Sequence, residues 1–234
     1  MRTGMLFVAT VTVWCSSCVG DQPEVPKPTP PPSAAALLQL PFVNGYIASC
    51  PQGADSPPAH TRDDNRHDVD VGALMRPNED VLAPANGIAY VHKSAGYGTH
   101  VNIDLGDGTY VVVGFLRTAF VADGRELATG QLIGTSGPLH GAVAGVHLGV
   151  HRGDASEIAD RGESVPIDRL LTRDRDFPGG FEQMSGDALI CGTDTRSHRY
   201  ESANATVLRH LPGTIVKSAS SVRVYLLNAD GTRS

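Results

Sequence analysis

Apolar and polar residues along this chain alternate in short bursts rather than at helical spacing. From Val81 onward the pattern is that of β-strands. "VLAPANGIAYVHK" places apolar residues around Asn86-Gly87, a turn signal. "HVNIDLGDGTYVVVGFL" predicts two strands joined at Gly106-Asp107-Gly108, a hairpin. "ELATGQLIGTSG" carries short apolar pieces broken by Gly130, Gly134 and Gly137, and "GVHLGVHRG" predicts the last strand of the set. "VPIDRLLTR" is the one segment that predicts a short helix. In the tail, "GTIVKS" and "VRVYLL" predict two strands, with a turn near Ala229-Asp230-Gly231. The expected fold class is mainly β: an antiparallel β-sheet or barrel-like sandwich, a short helix and a C-terminal β appendage.

The N-terminus departs from this pattern. Arg2 supplies a positive start and Met5 to Trp14 is an apolar run, too short for a mature bilayer-spanning helix but suited to the core of a secretory signal. Ser16-Ser17-Cys18 resembles a bacterial lipoprotein cleavage site, with lipidation at Cys18; the alternative is an ordinary signal peptide cut nearby. "QPEVPKPTPPPS", residues 22–33, predicts an extended polyproline spacer without a core. The expected organisation is a signal over 1–18, a Pro-rich linker over 19–39, a main domain over 40–190 and a small, incomplete β module over 191–234.

Length and charge narrow the function. The 234 residues suffice for one domain plus an appendage, and the formal charge of -6 argues against nucleic acid as a partner. Aromatic residues make up only 6% and there are 26 glycines, which suits short strands and turns. Of four cysteines, Cys15 leaves with the signal and Cys18 is the lipidation candidate. Cys50 and Cys191, near the two ends of the folded region, can pair in an exported protein; the alternative is two buried thiols.

Candidate chemistry centres on His147 and His151. Successive strand side chains alternate faces, so residues 147, 149 and 151 share one side. Two imidazoles on one face can hold a metal or can be idle.

Several segments, in order, resemble the lysostaphin/LytM-type zinc metalloendopeptidases that cut peptidoglycan peptides. "DVDVGALMRPNEDVLAPANGIAYV" resembles the family segment with a ligand Asp followed by "V-x-A-x-x-x-G-x-V". "GYGTHVNIDLGDG" resembles its next hairpin, "ATGQLIGTSG" its glycine turn and "VPIDRLL" its closing Pro-containing segment. The match runs from about Gln52 to Leu171. The resemblance implies a β-fold of the duplicated hybrid motif type. It also implies a His, an Asp and a second His around one zinc, with two more histidines assisting proton transfer.

Carried over residue by residue, Asp70 is the ligand Asp. The first ligand His is His60, in "PQGADSPPAHT", or His67; the commoner family position, four residues before the Asp, is Arg66. Phe115 stands in "VGFL" where one assisting His belongs, and residues 110–118 contain no histidine. "GVHLGVH" admits two registers. The favoured one makes His147 the metal ligand and leaves Gly145 at the second assisting position; the other makes His147 the assisting residue and puts Gly149 at the metal. His151 is then expected to be a solvent-facing strand residue.

The resemblance thus implies a degenerate member. The expectation is an exported cell-envelope protein, lipid-anchored to the membrane, that binds peptidoglycan peptides or regulates a cell-wall hydrolase, with zinc held by His60, Asp70 and His147. Two alternatives stand beside it. One is an active zinc endopeptidase with rearranged helpers among His67, His100, His140 and His151. The other is a structural β-domain without metal.

Overall fold

Strand alternation builds this fold around two apolar faces. The computed structural model describes residues 37–75, 78–139, 144–177, 179–192 and 197–204, with strand backbones at 215–217 and 224–226. In chain order the strands are β1 (Leu38–Gln39), β2 (Ile47–Ser49), β3 (Val69–Met75), β4 (Asp80–Leu82), β5 (Gly87–Ser94) and β6 (Gly98–Asp104). There follow β7 (Thr109–Ala119), β8 (Arg125–Leu127), β9 (Leu132–Pro138), β10 (Ala144–Arg152), β11 (Glu163–Val165) and β12 (Leu170–Asp174). Last come β13 (Glu182–Met184), β14 (Arg199–Ser202), β15 (Ile215–Lys217) and β16 (Val224–Leu226). Among the described residues the only helical pieces are two short 3₁₀ turns, at Ala159–Arg161 and Gly186–Ala188. No helix among them is long and apolar enough to cross a membrane.

The large sheet has nine strands, with the path β11-β10-β9-β7-β6-β5-β8; β3 joins at β10 and β4 at β9. A five-stranded sheet runs β1-β12-β14-β2, with β13 beside β12. Among the described residues every strand pairing is antiparallel except β1 with β12. The mainly antiparallel β architecture expected from the alternation is therefore the observed one.

The central strands are buried on both sides, and their period of two sorts residues between two clusters. Val111 and Val113 of β7 join the main core with Val69, Val71, Val101, Ile103, Val146 and Leu148. Tyr110 and Val112 point the other way, to a smaller cluster with Tyr90, Tyr97 and Ala159. On β10 the same alternation sends Val146, Leu148 and Val150 into the main core. His147, Gly149 and His151 face the opposite side.

"VPIDRLLTR" does not form the expected helix: residues 166–169 are irregular and its end is strand β12. Pro166 has no N–H to donate and β12 begins four residues later. Leu170, Thr172 and Asp174 are buried while Leu171 and Arg173 are only partly so. β14 pairs residue for residue with β12 and with β2, and Tyr200 lies in the core. This sheet therefore extends past residue 190, where the sequence places the start of a separate module, and takes in Leu38 and Gln39, placed there in the linker. β15 and β16 pair with each other within the expected segments, whereas the turn near Ala229-Asp230-Gly231 lies outside the described residues. So do the apolar N-terminal run, Cys15, Cys18 and the proline spacer.

Cys50 and Cys191 are joined by a disulfide across a sequence separation of 141 residues. Closing so long a loop contributes about 4–5 kcal/mol in the chain-entropy model. Non-reduced peptide mapping of protein made in an oxidising compartment should yield the linked Cys50–Cys191 pair, and Cys191→Ala should lower the urea midpoint; free thiols at both positions would contradict the bridge.

Candidate metal centre

Two strands and one loop bring three side chains to a point. β3 and β10 pair so that His147 lies opposite Asp70 and Leu148 opposite Val69. His60 comes from the loop before β3. That loop is fastened by a backbone bridge between Gln52 and Asp70, with the Asp70 amide donating to Gln52 O at 2.8 Å. It also packs on the disulfide: a Cβ on Gly53 would sit 3.0 Å from Cys191 Sγ, so a larger side chain there would crowd the bridge. The Gly53 carbonyl accepts from His60 Nδ1 at 2.8 Å.

That bond fixes the His60 tautomer. With Nδ1 carrying the proton, Nε2 presents its lone pair; it is buried without a hydrogen-bond partner, 3.6 Å from Asp70 Oδ1. His147 Nδ1 lies 2.9 Å from the same oxygen. One ligand atom from each of His60, Asp70 and His147 falls within 4.8 Å of the others. Two imidazole nitrogens and a carboxylate oxygen, one nitrogen an orphaned lone pair aimed at the group, match the donor set of a three-ligand zinc site. His67 is elsewhere: its Nδ1 is 3.5 Å from Asp187 and its amide donates to Ser164 Oγ. Of the two candidates for the first histidine, His60 is the one brought to Asp70 and His147.

A second carboxylate completes the centre. Asp68 accepts from His147 Nε2 at 2.8 Å, from His151 Nε2 at 3.0 Å and from Ser164 Oγ at 2.7 Å. Sequence reasoning missed it, and misplaced His151, which is fully buried rather than solvent-facing. Its ring packs near Tyr97 and Tyr110, at centroid distances of 5.7 and 5.6 Å. The reason lies in the register. Continuing the pairing of residue 70 with 147 puts Asp68 beside Gly149, and a Cβ there would meet the Asp68 carboxylate at 2.4 Å. The glycine opens a slot, and histidines two residues to either side on the same face close around the acid. The available signal was this Gly flanked by His147 and His151, set against two alternating acids in "DVDV".

The electrostatics follow from burial among opposite charges. Desolvation alone would raise the Asp68 carboxyl, but His151 and the hydrogen bonds from His147 and His151 outweigh it and hold the acid well below the usual carboxylate range. Desolvation would likewise lower His147; its bonds to Asp68 and Asp70 prevail and raise it to about 10. The metal-free centre thus holds His147 as an imidazolium between two carboxylates.

The expected assisting positions are occupied by other groups. Phe115 sits at the irregularity in the pairing of β7 with β6, with φ of 56°, a left-handed conformation unusual for a bulky residue. Its amide donates to Tyr97 O, and its ring centroid is 6.1 Å from that of His147. A side chain at Gly145 would meet Leu139 Cδ1 at 2.1 Å and Val71 O at 2.7 Å. The other histidines are committed too. His92 Nε2 and Asn102 Nδ2 lie within hydrogen-bond distance of Ala155 O. His100 is held between Gly98 O and the Ala159 amide, and burial pushes it down to about 4. His140 lies outside the described residues.

This is an all-β domain with a buried His–Asp–His group able to hold a metal. Residues 69–158 match the model of Peptidase family M23, and this segment is an M23 domain of the LytM type. Members of that family are zinc metallopeptidases. Solved structures similar to the chain include the catalytic domain of a mutant of the prophage-encoded M23 protein EnpA from Enterococcus faecalis, at 19% identity, 54% of this chain, 92% of that one and a TM-score of 0.43. The M23 metalloprotease pseudoalterin from the deep sea is 13% identical over 58% of this chain and 77% of its own, with a TM-score of 0.43. The SpoIIQ–SpoIIIAH pore-forming complex is 15% identical over 55% and 88%, with a TM-score of 0.38. No curated protein matches the chain.

Because His147 in the metal-free fold titrates above its ordinary value of about 6.5, its stabilising contribution is full below that pH and is lost as pH rises through about 10. With chelator present, the melting-temperature advantage of wild type over His147→Gln should shrink steadily from pH 6 to pH 10. An advantage that stays constant across that range contradicts the imidazolium assignment.

Proposed function

We propose that this is an exported cell-envelope protein whose M23 domain binds zinc through His60, Asp70 and His147 but has lost most of its peptidase power. It acts by binding peptidoglycan peptides or by regulating a cell-wall hydrolase. The observation that carries the reading is the contrast between an assembled ligand group and filled helper positions: Phe115 faces His147, and the space at Gly145 is taken by Leu139.

Zinc held there would polarise a peptide carbonyl and lower the pKa of a bound water. The chain's own part is to supply ligands and to move protons. His60, oriented by Gly53 O, offers Nε2; Asp70 offers an oxygen; His147 offers Nδ1. Proton traffic is where the chain falls short. The Phe115 ring has neither a proton to give nor a lone pair to take one. Each lost acid–base role typically costs about 10²–10⁴-fold in rate. The ligand side chains are also almost closed off, at 1% exposure for His60, 0% for Asp70 and 4% for His147, whereas a catalytic zinc keeps an open position for water or substrate. Tethering through a lipidated Cys18, with the proline spacer carrying the domain away from the bilayer, suits this role; one acyl chain binds only weakly, so at least two are expected.

Purified protein should contain one equivalent of zinc by elemental analysis, removed by chelator and absent from Asp70→Asn, while suspensions of purified cell walls keep their turbidity. Wild type that clears walls at a rate typical of peptidases, with His147→Ala abolishing the activity, contradicts the degenerate reading. A fatty-acid analogue should label wild type and not Cys18→Ser in cells; equal label on both would exclude the anchor.

A further inference from the structure

We infer that Asp68 is a positioning residue for the metal ligand His147, and that His151 and Ser164 exist at this site to hold Asp68. The inference rests on the zinc reading above.

Four contacts from three donor side chains converge on the Asp68 carboxylate. Oδ2 accepts from His147 Nε2 at 2.8 Å and His151 Nε2 at 3.0 Å; Oδ1 accepts from Ser164 Oγ at 2.7 Å and lies 3.2 Å from His151 Nε2. A site built only of donors needs an acceptor with two oxygens, and among side chains an ionised carboxylate meets that need. Asp68 is completely buried, so this charge is tolerated only because every oxygen is engaged. The consequence falls on His147. An imidazole whose Nε2–H is held by a carboxylate must present Nδ1 at its other end, and that nitrogen faces Asp70 and His60. Carboxylates behind ligand histidines fix the ring's rotation and tautomer and raise its basicity.

The supporting residues are placed by backbone. Ser164 lies opposite His151 in the β10–β11 pairing, and His67 N donates to the same Ser164 hydroxyl oxygen, leaving that hydroxyl's proton for Asp68. His151 lies between Tyr97 and Tyr110 with its Nε2 on the Asp68 carboxylate. Gly149 supplies the slot. The arrangement leaves Asp68 one imidazole removed from the His60–Asp70–His147 group: it touches the candidate ligand and is not itself among the ligands.

Zinc affinity measured by competition with a fluorescent chelator tests this, alongside the ¹⁵N–¹H spectrum of the imidazoles in zinc-loaded protein. Wild type should bind zinc and show His147 with a protonated, strongly hydrogen-bonded Nε2. Asp68→Asn places an amide against converging donors; affinity should fall by about 10–100-fold, the usual effect of losing such a partner, and the His147 Nε2–H resonance should lose its downfield shift. His151→Gln and Ser164→Ala, which leave the carboxylate in place, should lose less affinity and keep that resonance near its wild-type position. Near-UV circular dichroism of the metal-free variants separates misfolding from loss of positioning, and Ser164→Ala serves if Asp68→Asn does not fold. Wild type that binds no zinc overturns the zinc reading and this inference with it. Wild type that binds while a folded Asp68→Asn binds equally well, or Ser164→Ala that loses as much as removing His147, overturns the positioning role alone.

Discussion

The antiparallel pairing of Val69–Met75 with Ala144–Arg152 is the constraint on which the centre depends. It sets Asp70 opposite His147 and brings Asp68 into the gap at Gly149. Strand side chains alternate, so a slip of β3 by one residue would turn both acids toward Val146 and Leu148 in the apolar core and Val69 and Val71 toward the histidines. The core therefore protects the site: burial of Val69, Val71, Val146 and Leu148 makes any other register costly.

The third candidate ligand depends on a different device. His60 lies on a loop with little regular structure, and such segments wander unless tied down. Three ties are present: the Gln52–Asp70 bridge, the Gly53 carbonyl on the imidazole and the contact of Gly53 with the Cys50–Cys191 disulfide. Covalent closure of the smaller sheet and orientation of a candidate ligand are thus linked through one glycine.

Much of this was legible in the residues. Alternation identified the hairpin at Gly106-Asp107-Gly108 and the strand carrying His147, and motif spacing singled out Asp70 and Phe115. The misreadings share a cause. Asp68 and His151 acquire their meaning only across a strand pair, and no linear pattern states which residues face each other; His151 taken alone is an ordinary strand histidine. "VPIDRLLTR" misled because its apolar residues suit a helix turn as well as a strand, and pairing with β14 decided the matter. Spacing favoured His60 and kept His67 as an alternative, because a loop's path, rather than its length, decides which imidazole arrives.

Joint ligation of a metal by His60, Asp70 and His147, in a site short of catalytic helpers, is the central proposal. Zinc K-edge absorption of the loaded protein tests it most directly. Two imidazole nitrogens and a carboxylate oxygen at about 2.0–2.2 Å in a four-coordinate shell, with one imidazole lost in His60→Ala and one in His147→Ala, is the result expected. A shell of water and carboxylate oxygens without imidazole, unchanged by both substitutions, would contradict it.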